Sequence, residues 1–139
     1  MHDYNIFEGN DVVQHQKKLS RAISLIENQS PGYEEILSSL QPKNVPVIGI
    51  TGPPGAGKST LTNALLKEMV DRQKTVAVLC VDPSSPFNLG SLLGDRIRMA
   101  DWYNHPNVFI RSLASRGSLG GLHPAIIEIT ELLKSSFFD

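Results

Sequence analysis

Three glycines, one ammonium and two hydroxyls fall within nine residues, Gly52-Pro53-Pro54-Gly55-Ala56-Gly57-Lys58-Ser59-Thr60. The run matches the pattern G-x-x-x-x-G-K-[ST], whose chemistry is the cradling of a phosphate chain. Glycine lets the backbone fold back so that successive N–H groups converge on one anion. A helix opening at Lys58 aims its unpaired N–H groups and the positive end of its dipole at the same charge. Lys58 adds a mobile cation for the β- and γ-phosphates. Ser59 offers a hydroxyl to Mg2+, a hard cation that takes oxygen ligands and keeps several waters.

Two carboxylates stand where they could serve the same ligand. Asp82 ends an apolar run and is followed by Pro83-Ser84-Ser85. In open α/β sheets ligands gather beyond the carboxyl ends of strands, so Asp82 is a candidate Mg2+ ligand, directly or through water. Its plainer role is that of a turn residue. Asp95 follows Gly90 and Gly94; it reads either as a ligand of metal and water or as a helix cap. Arg96, Arg98, Arg111 and Arg116 are within the reach of a phosphate in principle and are read as solvated surface. His15, His105 and His123 lack metal-ligand spacing and are assigned no chemistry. Cys80 is the single cysteine, so it has no internal disulfide partner, and its apolar surroundings predict a buried, inert thiol.

These residues need strands and helices to hold them. Val47 to Thr51 reads as a buried strand running straight into the glycine-rich loop. A helix fits 58–72, with Leu61, Leu65 and Met69 on its inner face. Thr75 to Val81 is a near-continuous apolar run, as expected of a strand covered on both faces. A loop follows over 83–94, rich in Pro, Ser, Gly and Asn. A short helix around 95–103, a strand at 107–112, a Ser/Gly-rich loop at 112–121 and a helix at 124–135 on Ile126, Ile129 and Leu133 complete the chain. Ahead of this, residues 11–28 place Val12, Leu19, Ile23 and Ile26 on one helical stripe, away from Lys17, Lys18 and Arg21. A second short helix fits 31–41, with Ser30 as N-cap and Pro31 in its first turn, ended by Pro42. Strands alternating with helices indicate an α/β fold with a mostly parallel sheet. Residues 1–44 form a helical extension, read as packing surface, and 45–139 form the phosphate-binding part.

Composition sets the outer bounds. The chain has 139 residues, 40% of them hydrophobic and 19% charged. Thirteen basic against 14 acidic residues leave a net charge of −1, which gives no electrostatic case for nucleic acid. No stretch reaches the roughly 18 apolar residues of a membrane helix. The first twenty residues contain no signal-peptide core, and Asp3, Glu8 and Asp11 argue against a transit peptide. The expectation is a cytoplasmic protein.

Several segments together resemble a known family. They are 49–60, the run VLCVDPSSPFNLGSLLGDRIRM from Val78 to Met99, Phe109-Ile110-Arg111-Ser112, and Ser115 to Gly121. This set is similar to the MeaB/ArgK GTPases, chaperones of adenosylcobalamin-dependent methylmalonyl-CoA mutase formerly labelled LAO/AO transport system kinases. Leu19 to Glu27 resembles that family's N-terminal helical extension, so the likeness covers about residues 16–139. It implies a P-loop NTPase fold, Mg2+ and GTP as ligands, and GTP hydrolysis to GDP and phosphate in the full-length protein. Gly52 to Thr60 would hold the phosphates, with Ser59 on Mg2+, and a first switch would follow Asp82. Asp82 and Asp95 match the family's acidic positions near Mg2+ and the attacking water. Pro86-Phe87-Asn88 departs from the small polar residues usual there.

Family members are longer. They continue into a strand with a Walker-B acid and a second switch, then an Asn-Lys-x-Asp guanine-reading motif, then a C-terminal dimerisation arm. The present sequence has no Asn-Lys-x-Asp and reaches Asp139 where that strand would begin. The expectation is therefore a truncated, N-terminal part that is weak or inactive alone, from a protein that would be a homodimer and would partner a B12-dependent mutase. Two other readings stay open on the residues: a small-molecule kinase using the same loop, and a nucleotide-binding module without turnover.

Overall fold

The computed structural model describes residues 12–53, 55–82, 100–114 and 123–139. Four helices, two strands and one 3-10 turn are found there: α1 (Val12–Glu27), α2 (Tyr33–Ser39), α3 (Lys58–Asp71), β1 (Val76–Asp82), the 3-10 turn Ala100–Trp102, β2 (Val108–Ala114) and α4 (Ile126–Lys134). By their contacts they form two compact units, residues up to Asn44 with Pro124–Phe137, and Val45–His123 with Phe138–Asp139. The first division of the chain falls after Asn44. Helix α4, however, groups with the N-terminal helices rather than with residues 45–123.

In the first unit α1 packs on α2 and α4. Its inward stripe is Leu19, Ala22, Ile23 and Ile26, all at most 3% exposed, while Lys17, Lys18 and Arg21 face solvent. Burying each large aliphatic side chain contributes roughly 1.5–3 kcal/mol, which outweighs the weak helix propensity of a stripe rich in isoleucine. Ile36 of α2 and Ile129, Leu132 and Leu133 of α4 close this core. Helix α2 begins later than its sequence suggests. Gly32, with φ 99°, is its N-cap, and Ser30 accepts from Tyr33 N–H through its carbonyl rather than its hydroxyl. Lys43 finishes α4, its N–H donating to Lys134 O and its ammonium to Ser136 O.

The second unit is built on a parallel pair, β1 with β2, in the register Val76↔Val108 through Asp82↔Ala114. Val76, Val78 and Cys80 of β1 and Val108 and Ile110 of β2 share one face, and Leu66 and Val70 of α3 pack on it with Trp102. The inner residue of α3 is thus Leu66, at 2% exposure, rather than Leu61, which is 51% exposed. Residues 76–81 are all half-buried, so β1 is not a strand sealed on both faces, and Cys80 is half-buried too. Arg111, read as surface, is also half-buried. Residues 45–51 form no strand: they have no ladder partner among the described residues, and Val47 and Ile48 are 66% and 59% exposed. An apolar β-rich sequence becomes a strand only when another backbone answers its N–H and C=O groups. Of the helix read at 95–103, the described part is the single turn Ala100–Trp102.

Beside β1 the chain makes one further tie. Asp139 N–H donates to Thr75 O at 2.8 Å, and the Thr75 N–H and hydroxyl donate to Asp139 Oδ2 at 2.9 and 3.1 Å. The Thr75 N–H, ahead of Lys74, holds the Asp139 carboxyl below the usual aspartate range. The folded form therefore favours the carboxylate. Its small stabilisation is complete above the ordinary aspartate pKa and is lost as pH falls through the lowered folded value. An NMR titration should place the Asp139 carboxyl midpoint below that of the unfolded chain; an equal or higher midpoint would contradict the tie.

Candidate functional site

The glycine-rich run folds as a tight loop leading into α3. Ala56 N–H donates back to Pro53 O at 3.2 Å. Gly55 and Gly57 take φ values of 79° and 94°, left-handed conformations that cost a residue with a Cβ about 1 kcal/mol or more. Gly57 is the N-cap of α3 and has no side chain to answer the first N–H groups of the helix. Those donors stay open to an anion, and the first turn of α3 carries no acidic residue to repel one. Residues 52, 53 and 55–57 are exposed, as a ligand-facing loop requires.

The Lys58 ammonium folds back over this loop and donates to Gly52 O at 2.5 Å and Pro53 O at 3.0 Å. It therefore lies where the loop closes on itself, beside the N-terminus of α3. Lys58 and Ala56 border Gly52: a Cβ built there would meet Ala56 Cβ at 3.5 Å and Lys58 Cγ at 3.8 Å, ordinary contact distances. Ser59, half-buried, and Thr60, exposed, follow in the first turn of α3.

Of the acidic candidates, Asp82 closes β1, at the carboxyl end of the strand as the sequence placed it; the description there extends to the backbone. Asp95, with Arg96, Arg98 and Arg116, lies outside the described residues, as does Pro54. Among the described residues no group of three His, Cys, Asp or Glu forms a metal cage. The two residues that the sequence offers as metal ligands, Ser59 and Asp82, carry hard oxygens by residue type. That set fits Mg2+, which binds through one or two protein oxygens plus substrate phosphates and water, and it does not fit a structural zinc site.

One polar contact at this site went unread in the sequence. Asn63, one turn beyond Ser59 on α3, accepts a hydrogen bond at 3.0 Å from the Trp102 indole N–H. The signal was faint but present: a tryptophan that packs in a core must find an acceptor for its N–H.

A sequence model of the family described as methylmalonyl-CoA mutase-associated GTPase MeaB matches residues 19–139. A putative GTPase of Pyrococcus abyssi is 48% identical over 120 residues, covering 85% of this chain and 37% of that protein. GTPase ArgK of Escherichia coli is 37% identical over 127 residues, 87% of this chain and 38% of ArgK. A fused isobutyryl-CoA mutase of Cupriavidus metallidurans is 39% identical over 131 residues, 89% of this chain and 12% of that protein. The chain thus spans well under half the length of the curated relatives it matches.

Proposed function

Because the chain belongs to the family of methylmalonyl-CoA mutase-associated GTPases that includes MeaB, we propose that it is the phosphate-binding part of a Mg2+-dependent GTPase that serves an adenosylcobalamin-dependent acyl-CoA mutase. The observation that carries the reading is the loop 52–57 opening onto an uncapped helix N-terminus, with Lys58 folded over it. Backbone N–H groups of 55–60 receive the phosphate oxygens, and Lys58 exchanges its two carbonyl partners for the β- and γ-phosphates. Ser59 and Asp82 would hold the metal, which would neutralise charge on the phosphate chain. Asp95 orients a water in line with the γ-phosphorus. Attack by that water forms the new P–O bond as the bond to the β-phosphate oxygen breaks, releasing GDP and inorganic phosphate. The mutase partnership is supported by relatives in which a similar segment forms part of a fused isobutyryl-CoA mutase. A homodimer, and a cytoplasmic setting in keeping with the lack of any membrane-crossing helix among the described residues, complete the proposal.

The test is calorimetry of this chain with Mg2+–GTP, Mg2+–GDP and Mg2+–ATP. Binding of guanine nucleotides with loss of the Mg2+ effect in Asp82→Ala is the expected result. In a full-length relative of this sequence, Asp95→Ala should lower turnover by roughly a hundredfold with little change in ground-state affinity, since water positioning matters most in the transition state. Unchanged turnover and an unchanged Mg2+ titration in both variants would reduce the two acids to turn residues.

A further inference from the structure

The proposed metal ligands sit on different elements: Ser59 in the first turn of α3 and Asp82 at the end of β1. What fixes their separation is whatever fixes α3 on the sheet. Apolar contacts from Leu66 and Val70 do part of this. Such contacts are non-directional and leave a helix free to rotate and slide a little about its axis. Most polar side-chain contacts of α3 do not help, because Lys67–Asp71, Arg72–Glu68 and Thr62–Lys58 all stay within the helix. The Lys58 bonds go to the loop. Among the described residues, the one side-chain hydrogen bond from α3 toward the sheet layer is Asn63 Oδ1 with Trp102 Nε1.

Three features make this bond suited to setting an angle. It is part-buried, so water competes with it poorly. It lies at i+4 from Ser59, on the same helix face, which continues through Leu66 and Val70 to the sheet. Trp102 itself is packed against the Leu66–Val108 cluster, against His105 at 5.7 Å between ring centroids, and is six residues ahead of the first residue of β2. The donor is therefore anchored to the sheet and the acceptor to the helix. A helix side-chain tip lies about 5 Å from the axis, so a rotation of about 20° displaces it by roughly 2 Å. Mg2+ tolerates far less, since it demands near-ideal octahedral geometry at short oxygen distances.

We infer that Trp102 and Asn63 are a positioning pair that sets the distance from Ser59 to Asp82 and so tunes Mg2+-dependent nucleotide binding. The inference rests on the reading of Ser59 and Asp82 as metal ligands. It adds two residues that touch neither nucleotide nor metal.

The experiment compares GDP affinity in EDTA and in saturating Mg2+ for wild type, Trp102→Phe, Asn63→Leu and Asn63→Asp. Trp102→Phe keeps an aromatic ring in the core but removes the N–H together with part of the indole's volume, so Asn63→Leu tests the bond from the other side; Asn63→Asp keeps an acceptor. Loss of the bond should cut the Mg2+-dependent gain in affinity by roughly tenfold, as removal of outer partners of metal ligands commonly does. Affinity in EDTA should stay within about twofold, because the loop and Lys58 are untouched. Asn63→Asp should retain most of the gain. Trp102 is the sole tryptophan, so in wild type its emission should shift when Mg2+ is added to the GDP-bound chain, and in Asn63→Leu that shift should vanish. An unchanged Mg2+ gain in both Trp102→Phe and Asn63→Leu overturns the inference. So does an equal loss with and without Mg2+ accompanied by a lower melting temperature, which would mark the pair as packing only. Wild-type chain that binds GDP in neither condition, or binds it without any Mg2+ gain, would instead sink the metal-site reading on which the pair depends.

Discussion

Lys58→Ala should abolish measurable binding of Mg2+–GTP while leaving the melting temperature almost unchanged. Charged hydrogen bonds contribute about 1.5–3 kcal/mol each. A lysine shared between two phosphates therefore accounts for roughly 3–6 kcal/mol, on the order of a hundred- to ten-thousandfold in affinity. The same side chain does little for the fold: its partners are the carbonyls of Gly52 and Pro53 in an exposed loop, which water can satisfy once the ammonium is gone. Surface changes of that kind fall within about 0.5 kcal/mol. Lys58→Arg should also weaken binding, since a planar guanidinium fork does not reproduce the compact ammonium charge of a lysine. Calorimetry with a parallel thermal melt decides the matter. Wild-type affinity in Lys58→Ala would remove the phosphate site from 52–60, whatever the family likeness.

How far these features were legible in the sequence depended on how local their causes are. The loop and the helix that follows were readable because glycine conformations and helix caps are decided within a few residues: Gly57 caps α3 in a left-handed conformation and Lys58 opens the helix. The stripe Leu19, Ile23, Ile26 was readable for the same reason, since one helix carries its whole period. Strand β1, its end at Asp82 and its parallel neighbour β2 followed from apolar runs alternating with helices. Where the cause is a partner distant in sequence, reading failed. Val47 to Thr51 has strand composition, yet no second backbone answers it among the described residues, and Val47 and Ile48 stand in solvent. In α3 the spacing alone allowed Leu61, Leu65 and Met69 to be the inner face; the position of the sheet selected Leu66 and Val70 instead. The Ser30 cap gave way to Gly32 because the turn at Pro31 already placed a left-handed residue next to the helix. Asn63 and Trp102 are 39 residues apart, and beyond the indole's need for some acceptor nothing in the sequence joined them.

The isolated 139-residue chain should associate reversibly as its concentration rises, and Ala77→Pro should weaken that association on the order of thirtyfold. Val76 N–H donates to Asn107 O, so in the parallel register the even-numbered residues of β1 address β2. By alternation the N–H and C=O groups of Ala77, Leu79 and Val81 point to the opposite edge. There, among the described residues, β1 has no second ladder; only its foot is covered, where Asp139 bonds Thr75. Natural edge strands are commonly guarded by lysine, proline or a bulge. Between Val76 and Val81 this edge has none of the three, and its side chains are apolar and half-buried. A second copy can add its own edge antiparallel, pairing two such rows of groups. Proline at 77 removes one outward N–H that β2 does not use, so the ladder with β2 survives. In a symmetric pair that substitution deletes two bonds at about 1 kcal/mol each, which corresponds to the stated fold-change. Sedimentation velocity over a wide concentration range, with circular dichroism to confirm that the variant keeps its fold, is the measurement. A chain that stays monomeric throughout, or a folded Ala77→Pro variant that associates as strongly as wild type, would show that this edge is not the contact.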